Sequence, residues 1–530
     1  MWLHTVLIMD HLQPTTFAEF ERQTEHGNVI PVVRTVVTDS RTPVDAFHRI
    51  AGDTRYGFIL ESVEGAERSA QYSFLGAEPE MIIRGRGNQT TIEKGGESEI
   101  RNVRATDFVR EYLGGKKLAR RADLVPFAGG AVGYFAYGAA RWFEPALASY
   151  SDESAFDDAV LMFYRTLLAF DRMHEQISLT SVVFTEEAGG NRARLRDLYD
   201  RAVEATARLE RLLQGGSKLP EQGLPRAQPA WVGKSIHDLR HSSQDESSFT
   251  SNWTRDGFQD AVRVVKEHIA AGDCYQVVLS QRFTKTVNAA PIAIYEALRA
   301  INPSPYMYFL RLGDESIVGA SPEMLVRCRG PRLDYRPIAG TRPRGLTKAE
   351  DLQLAAEMRS DEKEVAEHMM LVDLGRNDLG RVADYGSVHV EDLMEVECYS
   401  HVQHLVSSLR AELRSSLNRF DALAACFPAG TVTGAPKVRA MEIIRELEPD
   451  ARGVYAGAIV YADYSDNLDS CIAIRTIEMR EGKASVQAGA GIVADSVPEL
   501  EYEETINKAK ALFKAIALAE MEAERKSSRA

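Results

Sequence analysis

Two Glu-x-x-Glu pairs in the sequence could together bind a metal cation. The first pair is Glu364 and Glu367, in the segment DEKEVAEH that begins at Asp361, and the second is Glu501 and Glu504 in EYEETINK. Side chains three residues apart on a helix share a face, and Asp361 could form a capping box with Glu364. A single pair is most often a solvated helix face. If both pairs converge, four carboxylates suit Mg²⁺, which prefers oxygen ligands, better than Zn²⁺.

Two glycine-containing segments could bind an anion. Thr431–Lys437 (TVTGAPK) is a hydroxyl-rich turn before a predicted helix over Val438–Leu447, where backbone N–H groups are free to bind an anion. It lacks the first glycine of a Walker A loop. Gln487–Val493 (QAGAGIV) is a predicted strand interrupted by Gly489 and Gly491, which often marks close approach of another group. An ordinary helix start and an unliganded bulge remain the alternatives.

Three single polar residues lie in otherwise apolar predicted strands: Arg475, Tyr455 and His404. A buried arginine requires an anionic partner, so Arg475 is the most suggestive of an anion site. A lone histidine in a strand is more often a hydrogen-bonded structural group than a catalyst.

The composition of the 530-residue chain is that of a folded protein, with 44% hydrophobic and 26% charged residues. Its net charge of −14 argues against a nucleic-acid partner. Five scattered cysteines without a C-x-x-C pair indicate reduced thiols in the cytoplasm. No run of 18 apolar residues and no basic segment before an apolar stretch is found, which predicts neither a membrane span nor a signal peptide.

The segment Gly215–Ser251 separates two parts of the chain. It is rich in Pro, Gln, Ser and Gly and has little periodicity, which is typical of a linker or surface excursion. Apolar residues at helical or strand spacing predict the elements on either side. The predicted helices are Thr16–Glu25, Asn191–Leu213 and a helix containing Phe258 to Ile269, and the predicted strands are Val29–Val37, Tyr56–Leu60, Asp158–Phe170, Gln176–Phe184 and Tyr275–Phe283. We therefore expect an N-terminal domain over 15–214, a linker over 215–251 and a second domain over 252–520.

In their fixed order, nine segments of the chain resemble the chorismate-utilising enzymes and, within them, the large subunits of anthranilate synthases. They are Asp273–Gln281, Asn302–Met307, Ser321–Glu323, Pro337–Arg342, Asp361–Asp378, Ser400–Ser407, Phe427–Ile444 (FPAGTVTGAPKVRAMEII), Asp469–Thr476 and Gln487–Ser496. The resemblance covers nearly all of Phe258–Ala519 and extends loosely to Leu60–Ser62 and Tyr72–Gly76. It implies an α/β (α+β) fold with layered, large antiparallel sheets and outer helices, plus a smaller N-terminal regulatory domain.

The resemblance also implies a role for each matching residue. The Mg²⁺ cofactor would be held, directly or through water, by Glu364, Glu367, Glu501 and Glu504. Chorismate would contact Gly340, Thr341, Tyr455, Arg475, Gly489, Ala490, Gly491 and Lys508, with Arg475 and Tyr455 clamping the enolpyruvyl carboxylate. Thr431 would line the ring site, Glu323 would protonate the departing C4 hydroxyl, and His404 would serve the later elimination of pyruvate.

Two positions separate the possible reactions within the family. Isochorismate and salicylate synthases have a water-activating lysine at the position of Gln276, and glutamine cannot act as that base. Aminodeoxychorismate synthases, the alternative within the family, commonly have a nucleophilic lysine at the position of Ala339. The resemblance therefore implies direct attack of ammonia on C2 and formation of anthranilate. A metal-dependent binding protein without turnover is the alternative from another class, and the intact set of implied catalytic residues argues against it.

The resemblance further implies a partner and an inhibitor. No cysteine of the chain lies in the glycine-flanked setting of a glutaminase nucleophile, so ammonia would come from a separate glutamine amidotransferase subunit, in a heterotetramer. Tryptophan would act as the feedback inhibitor of this first step of tryptophan biosynthesis. Its site would comprise Glu61, Ser62, Asn302, Pro303 and Met307, together with Leu60 and Cys471. From sequence alone, Leu60–Ser62 could equally be an ordinary strand end.

Overall fold

The computed structural model describes residues 11–37, 42–63, 71–121, 124–148, 156–215, 248–345, 347–399 and 402–528. Residues 1–10 and most of the predicted linker, 216–247, lie outside them. The helices are α1 (Phe17–Gln23), α2 (Pro43–Ala51), α3 (Ala105–Leu113), α4 (Ala140–Phe143), α5 (Arg192–Gln214), α6 (Arg255–Ala270), α7 (Pro291–Ile301), α8 (Lys348–Ser360), α9 (Glu362–Gly380), α10 (Arg419–Cys426), α11 (Lys437–Leu447) and α12 (Pro498–Ser527).

The strands, in chain order, are β1 (His11–Gln13), β2 (Val29–Val37), β3 (Tyr56–Glu61), β4 (Tyr72–Ala77), β5 (Met81–Arg86), β6 (Gln89–Lys94), β7 (Glu97–Arg101), β8 (Gly130–Phe135), β9 (Ala159–Tyr164), β10 (Thr166–Asp171), β11 (Gln176–Phe184), β12 (Thr250–Ser251), β13 (Gln276–Thr286), β14 (Tyr306–Leu312), β15 (Glu315–Ser321), β16 (Met324–Arg329), β17 (Arg332–Tyr335), β18 (Ile338–Pro343), β19 (His389–Cys398), β20 (Val402–Glu412), β21 (Gly434–Ala435), β22 (Ala458–Asp463), β23 (Leu468–Ile472), β24 (Thr476–Arg480) and β25 (Lys483–Ile492).

These strands form two large sheets, in which every pair of named strands is antiparallel. The first sheet runs β1-β2-β11-β10-β4-β3-β14-β15-β24-β25-β13-β12, with β21 beside β13. The second runs β18-β20-β17-β16-β23-β22-β8-β9-β5-β6-β7, with β19 beside β20. The expected fold class, mixed helix and strand with large antiparallel sheets, is confirmed. Both halves of the chain contribute to both sheets, since β3 pairs with β14 and β8 pairs with β22; the domain limits stay a prediction.

The main hydrophobic core lies between the two sheets. Successive residues of a strand point to opposite faces, and Phe58 and Tyr308 of the first sheet belong to a cluster that also contains residues of the second. The rings of Phe58 and Tyr164, one from each sheet, have centroids 4.8 Å apart. The neighbouring residues Ile59 and Phe309 point the other way, into a cluster with helices α2, α7 and α12. The fold is therefore layered, with helices covering the outer face of the first sheet.

Most of the predicted elements are present with small shifts at their ends. Thr16 caps α1 in a capping box, Asn191 caps α5, and β2 has the predicted bounds Val29–Val37. Asp361 caps α9 by accepting from the N–H groups of Lys363 and Glu364. No described helix has the length and apolar character needed to cross a membrane.

One predicted strand, Asp158–Phe170, is wrong because it is two strands in different sheets. β9 ends at Tyr164 in the second sheet, and β10 begins at Thr166 in the first. The residue between them, Arg165, forms ion pairs with Glu80 and Glu187. A continuous run of apolar residues predicts burial but does not reveal where a chain passes from one sheet to the other.

Candidate active site

Two crossings of the chain between the sheets bring an acid and a cation together. Glu323 lies between β15 of the first sheet and β16 of the second, and Arg475 lies between β23 and β24. The crossings are hydrogen-bonded to each other: Ala320 N donates to Arg475 O at 3.1 Å, and Ile472 N donates to Glu323 O at 3.1 Å. Sheet topology therefore holds two residues that are far apart in sequence at one place.

Glu323 has the environment of a proton donor. It is only 8% exposed, and burial raises the pKa of its carboxyl to about 7, against the opposing influence of the Thr431 hydroxyl and the Lys508 charge. The Thr431 hydroxyl oxygen is buried and has no partner within hydrogen-bonding geometry in the described part of the chain. A carboxyl that keeps its proton near neutral pH can act as a general acid, and the adjacent hydroxyl is available to a ligand.

Arg475 is a partly buried cation that lacks an anionic partner. Its Nη1 donates to the carbonyl oxygen of Lys508 at 2.8 Å, and no carboxylate among the described residues lies within ion-pair distance. Burial lowers the pKa of its guanidinium, opposed by Tyr455 and Glu504. Its backbone is held at φ 50°, in the left-handed region. A desolvated guanidinium without a counter-ion is a prepared site for a carboxylate.

Lys508 and Tyr455 flank this cation beside the glycine-rich strand β25. Lys508 Nζ donates to Gly489 O at 2.9 Å and forms an ion pair with Glu504 at 2.7 Å. A Cβ added to Gly489 would lie 2.8 Å from the hydroxyl oxygen of Tyr455, so only glycine allows this approach. Tyr455 is buried, which raises the pKa of its phenol to about 12, and it is neutral at physiological pH.

Gln276, Ala490 and Gly491 lie on the paired strands β13 and β25. A Cβ added to Gly491 would lie 2.5 Å from Gln276 Nε2, which places the Gln276 amide against the Gly491 backbone. Ala490 is fully buried and its side chain packs in a cluster with α6 and α11. Ala490 can therefore offer its backbone to a ligand, whereas Gln276 can offer its side chain.

His404 on β20 is oriented by β18. Its Nδ1 lies 2.9 Å from Gly340 O and 3.0 Å from Thr341 Oγ1. Since a carbonyl oxygen only accepts, Nδ1 carries the proton and Nε2 keeps a free lone pair. Burial lowers the pKa of the imidazole, which the bond to Gly340 opposes and the charge of Arg475 reinforces. His404 is therefore a neutral base, and the positive charge of Arg475 helps to keep it neutral.

The four predicted metal ligands lie on α9 and α12 and interact electrostatically. Although the Glu367 side chain is exposed, desolvation raises the pKa of its carboxyl, and Glu364 and Glu504 add repulsion. Desolvation likewise raises the pKa of Glu501, with a further contribution from Glu504. Crowded carboxylates of this kind are the donor set that a hard cation accepts.

The described residues contain no compact group of three or more acidic, histidine or cysteine side chains arranged as metal ligands. Glu364 accepts from Arg342, and Glu504 is paired with Lys508. The capping box predicted for Asp361 and Glu364 is thus only half formed. The set fits a cation such as Mg²⁺ that keeps several waters and takes few direct protein ligands.

The predicted inhibitor residues mostly surround a different cavity, of about 400 Å³. Its lining includes Leu60, Glu61, Ser62, Met307 and Cys471, but not Asn302 or Pro303. The carboxylate of Glu61 is buried and accepts from Tyr295 at 2.7 Å, Arg299 at 3.0 Å and Arg172 at 3.0 Å. Glu61 therefore ties the cavity wall to α7 rather than offering a free charge.

Sequence reasoning missed two side chains that support the site. Arg342 pairs with Glu364, and buried Glu478, whose pKa is raised to about 7 by burial, accepts from the backbone N–H of Tyr455 at 3.2 Å. Glu478 lies in the strand TIEMR, where a charge between apolar residues was the available signal. Arg342 is the last residue of the segment PIAGTR, and nothing in the sequence around it indicated that it would pair with Glu364.

Comparisons with known proteins identify the family of the chain. A family model described as "chorismate binding enzyme" matches residues 57–514. Anthranilate synthase component 1 of Acetivibrio thermocellus is 44% identical over 94% of this chain and 98% of its own length, and that of Synechocystis sp. is 42% identical over 94% and 98%. The crystal structure of anthranilate synthase component I from Streptococcus pneumoniae TIGR4 superposes with a TM-score of 0.71 and 34% identity, covering 90% of this chain and 98% of that one. The chain is therefore an enzyme that belongs to the chorismate binding enzyme family.

Proposed function

We propose that this chain is the large subunit of an anthranilate synthase, which aminates chorismate at C2 and eliminates pyruvate to give anthranilate. The observation that carries the proposal is Arg475, a desolvated guanidinium without a carboxylate partner in the described structure. Its strand connection is hydrogen-bonded through the backbone to the connection that contains the protonatable Glu323. Chorismate supplies what this arrangement lacks, because it has two carboxylates and a hydroxyl leaving group. The named relatives support the same reading.

The roles of the side chains follow from their protonation states. Arg475 and Lys508, with the Tyr455 hydroxyl, bind the enolpyruvyl carboxylate. Ammonia attacks C2 while Glu323 gives its proton to the C4 hydroxyl, which leaves as water. His404, with Nε2 free, then accepts the C2 proton as the C3–O bond breaks and the ring becomes aromatic. The enolpyruvyl group departs as enolpyruvate, which takes up a proton at its methylene carbon to become pyruvate.

The choice of ammonia at C2 rests on two residues. Gln276 has no basic group to activate water, which disfavours isochorismate formation. Ala339, at a bulge beside Gly340 on β18, provides no amine for covalent attack on the ring, which disfavours the aminodeoxychorismate synthase alternative. Ammonia would reach the site from a separate glutamine amidotransferase subunit, so that an ammonium salt should replace that partner in vitro.

The test is to incubate the purified chain with chorismate, Mg²⁺ and an ammonium salt at alkaline pH, and to follow anthranilate fluorescence. We expect anthranilate to accumulate with pyruvate in equal amounts. If no anthranilate forms while the chain is folded and binds chorismate, the proposed function is wrong.

We further propose that Glu364, Glu367, Glu501 and Glu504 hold Mg²⁺, directly or through water. When bound, the cation would neutralise the ring carboxylate of chorismate. The support is the mutual repulsion of these carboxylates, which a cation would relieve.

Replacing Glu504 with glutamine should raise the Mg²⁺ concentration required for half-maximal activity by about tenfold or more, because a neutral amide is a poorer ligand for a hard cation. Glu503→Gln is the matched control, since this neighbouring carboxylate pairs with Arg255 at 2.6 Å instead. A Mg²⁺ titration of both variants checks the prediction. An unchanged Mg²⁺ dependence in Glu504→Gln would refute this metal assignment.

We also propose that tryptophan inhibits by binding in the cavity lined by Leu60, Ser62 and Met307. Ser62→Leu should raise the tryptophan concentration for half-inhibition by about tenfold or more, because the added side chain occupies part of the cavity and costs the ligand a favourable fit. Inhibition curves measure this, with Ser178→Ala, on β11 and outside the cavity lining, as control. Equal inhibition of the parent and Ser62→Leu would remove the cavity as the inhibitor site.

A further inference from the structure

Arg452 is a fully buried cation directly behind the candidate active site. Its side chain is 1% exposed and that of its partner Glu448 is 4% exposed. Arg452 Nε donates to Glu448 Oε2 at 2.8 Å, and Nη2 donates to Glu448 Oε1 at 2.7 Å. A bidentate pair of this kind fixes the plane of the guanidinium as well as its position.

The same guanidinium also binds two backbone carbonyls that border the site. Arg452 Nη1 donates to Val432 O at 2.7 Å, one residue after Thr431, and Nη2 donates to Val278 O at 2.7 Å. Val278 is the register partner of Gly491 in the adjacent strand. Arg452 therefore ties the Thr431 turn to the strand that faces the glycine backbone.

The aromatic rings of Tyr455 and Tyr137 lie next to this cation. The guanidinium carbon of Arg452 lies 5.5 Å from the centroid of the Tyr455 ring and 4.7 Å from that of Tyr137. Contacts of a cation with aromatic faces are attractive and directional, and they strengthen away from water. The position of the Tyr455 hydroxyl beside Gly489 therefore depends on where Arg452 holds the ring.

Glu448 extends the same network to strand β13. Its Oε1 accepts from Ser280 N at 2.8 Å and from Ser280 Oγ at 2.7 Å. Ser280 is the register partner of Gly489. The Glu448–Arg452 pair thus contacts three structures that border the candidate active site. They are the Thr431 turn, the Tyr455 ring and strand β13, which pairs with the glycine-containing strand β25.

We propose that Arg452, oriented by Glu448, is a positioning residue for chorismate binding that sets the spacing between Tyr455, the Thr431 turn and the glycine strand. It acts through those groups and does not itself touch the substrate, and the inference rests on the proposed function. Lysine cannot replace it, because a single ammonium cannot reach one carboxylate, two divergent carbonyls and a ring face in a fixed plane.

A second buried ion pair provides a matched control. Arg419 and Asp463 are 4% and 1% exposed, and Arg419 Nη1 donates to Asp463 O at 2.7 Å and to Asn467 O at 2.9 Å. These carbonyls belong to the end of β22 and to the connection from β22 to β23, not to the groups assigned to chorismate. Arg419→Lys therefore tests the loss of another deeply buried, hydrogen-bonded guanidinium without the proposed effect on the site.

The experiment compares Arg452→Lys with Arg419→Lys in the full chain, using chorismate, Mg²⁺ and saturating ammonium. We expect Arg452→Lys to raise the KM for chorismate by about tenfold and to lower kcat, since misplaced binding groups weaken both binding and orientation. Arg419→Lys should lower Tm to a similar extent while its kinetic constants stay within about twofold of the parent.

A double-mutant cycle with Tyr455→Phe separates positioning from general destabilisation. If Arg452 acts through Tyr455, the loss in kcat/KM of the double variant should be smaller than the product of the two single losses by about threefold or more. For Arg419→Lys combined with Tyr455→Phe, the loss in kcat/KM should equal the product of the two single losses. If Arg452→Lys does not fold, Glu448→Gln keeps the shape of the partner and should raise the same KM.

Parent-like kinetics in Arg452→Lys or Glu448→Gln, or multiplicative effects with Tyr455→Phe, would overturn the positioning role while leaving the proposed function intact. A folded parent chain that forms no anthranilate would instead overturn the proposed function, and this role with it.

Discussion

Replacing Arg475 with lysine is expected to lower kcat/KM for chorismate by about two to three orders of magnitude. The guanidinium offers a planar fork to a carboxylate, and each hydrogen bond between charged groups contributes about 1.5–3 kcal/mol. Because the carboxylate is bound in both the ground state and the transition state, most of the loss should appear in KM. Steady-state kinetics with varied chorismate measures it.

The matched control is Arg480→Lys, at the far end of β24, the strand that directly follows Arg475. Arg480 is about one-third exposed and pairs with Glu315 at 3.5 Å, so its replacement should change kcat/KM by less than about twofold. Equal effects of the two substitutions would contradict the clamp.

Stability provides an independent check on Arg475. A desolvated cation without a counter-ion in the described structure is a cost to folding, so Arg475→Met should abolish substrate binding while leaving Tm unchanged or higher. A large fall in Tm would mean that Arg475 stabilises the fold through a structural partner. The lack of a counter-ion would then not be evidence for a carboxylate-binding site.

Glu323→Gln is expected to lower kcat by about 10²–10⁴-fold, which is the usual contribution of a positioned general acid. Glutamine keeps the shape of the side chain but has no proton to give to the departing hydroxyl. Glu315→Gln is the control: it removes a largely buried carboxyl with a raised pKa from the start of β15, the strand that precedes Glu323, and it should leave kcat within about twofold.

The pH dependence distinguishes the acid role from a binding role. The acid must be protonated, and burial raises the pKa of Glu323 to about 7, so kcat/KM at constant free ammonia should fall as pH rises above about 7. Glu323→Gln should lack this limb. A profile that is identical in parent and variant would rule out Glu323 as the acid.

The same shift has a consequence for folding. Because the folded-state pKa lies above the ordinary value of 4.5, the protonated form is favoured in the native state, and this stability is lost as pH rises through about 7. Glu323→Gln removes that loss. Relative to the parent, the variant should therefore gain about 3 kcal/mol between pH 4 and pH 8, which chemical denaturation at each pH can measure.

Local sequence patterns predicted what depends on local structure. The spacing of Glu364 and Glu367 placed both on one helix face, Asn191 marked the start of α5, and the glycines of β25 marked close approach of other groups. In each case the physical cause lies within a few residues of its effect.

Contacts between segments that are distant in sequence could not be predicted from local patterns. Glu323 and Arg475 lie in one region only because two strand connections cross between the sheets and are hydrogen-bonded to each other through the backbone. Glu448 and Arg452 look like ordinary charges around a proline in the sequence, and only their burial reveals the network. The passage of the chain from one sheet to the other at Arg165 is also not visible in the sequence, because the strands on both sides of Arg165 are apolar.

The position of nitrogen in the product shows directly whether the enzyme adds ammonia at C2 of chorismate. Chorismate, Mg²⁺ and ¹⁵N-ammonium should be incubated with the purified chain and the product examined by NMR. We expect ¹⁵N-anthranilate, with nitrogen on the ring carbon next to the carboxylate-bearing carbon, formed together with one pyruvate. Nitrogen at C4, as in 4-amino-4-deoxychorismate, or unlabelled isochorismate would contradict it.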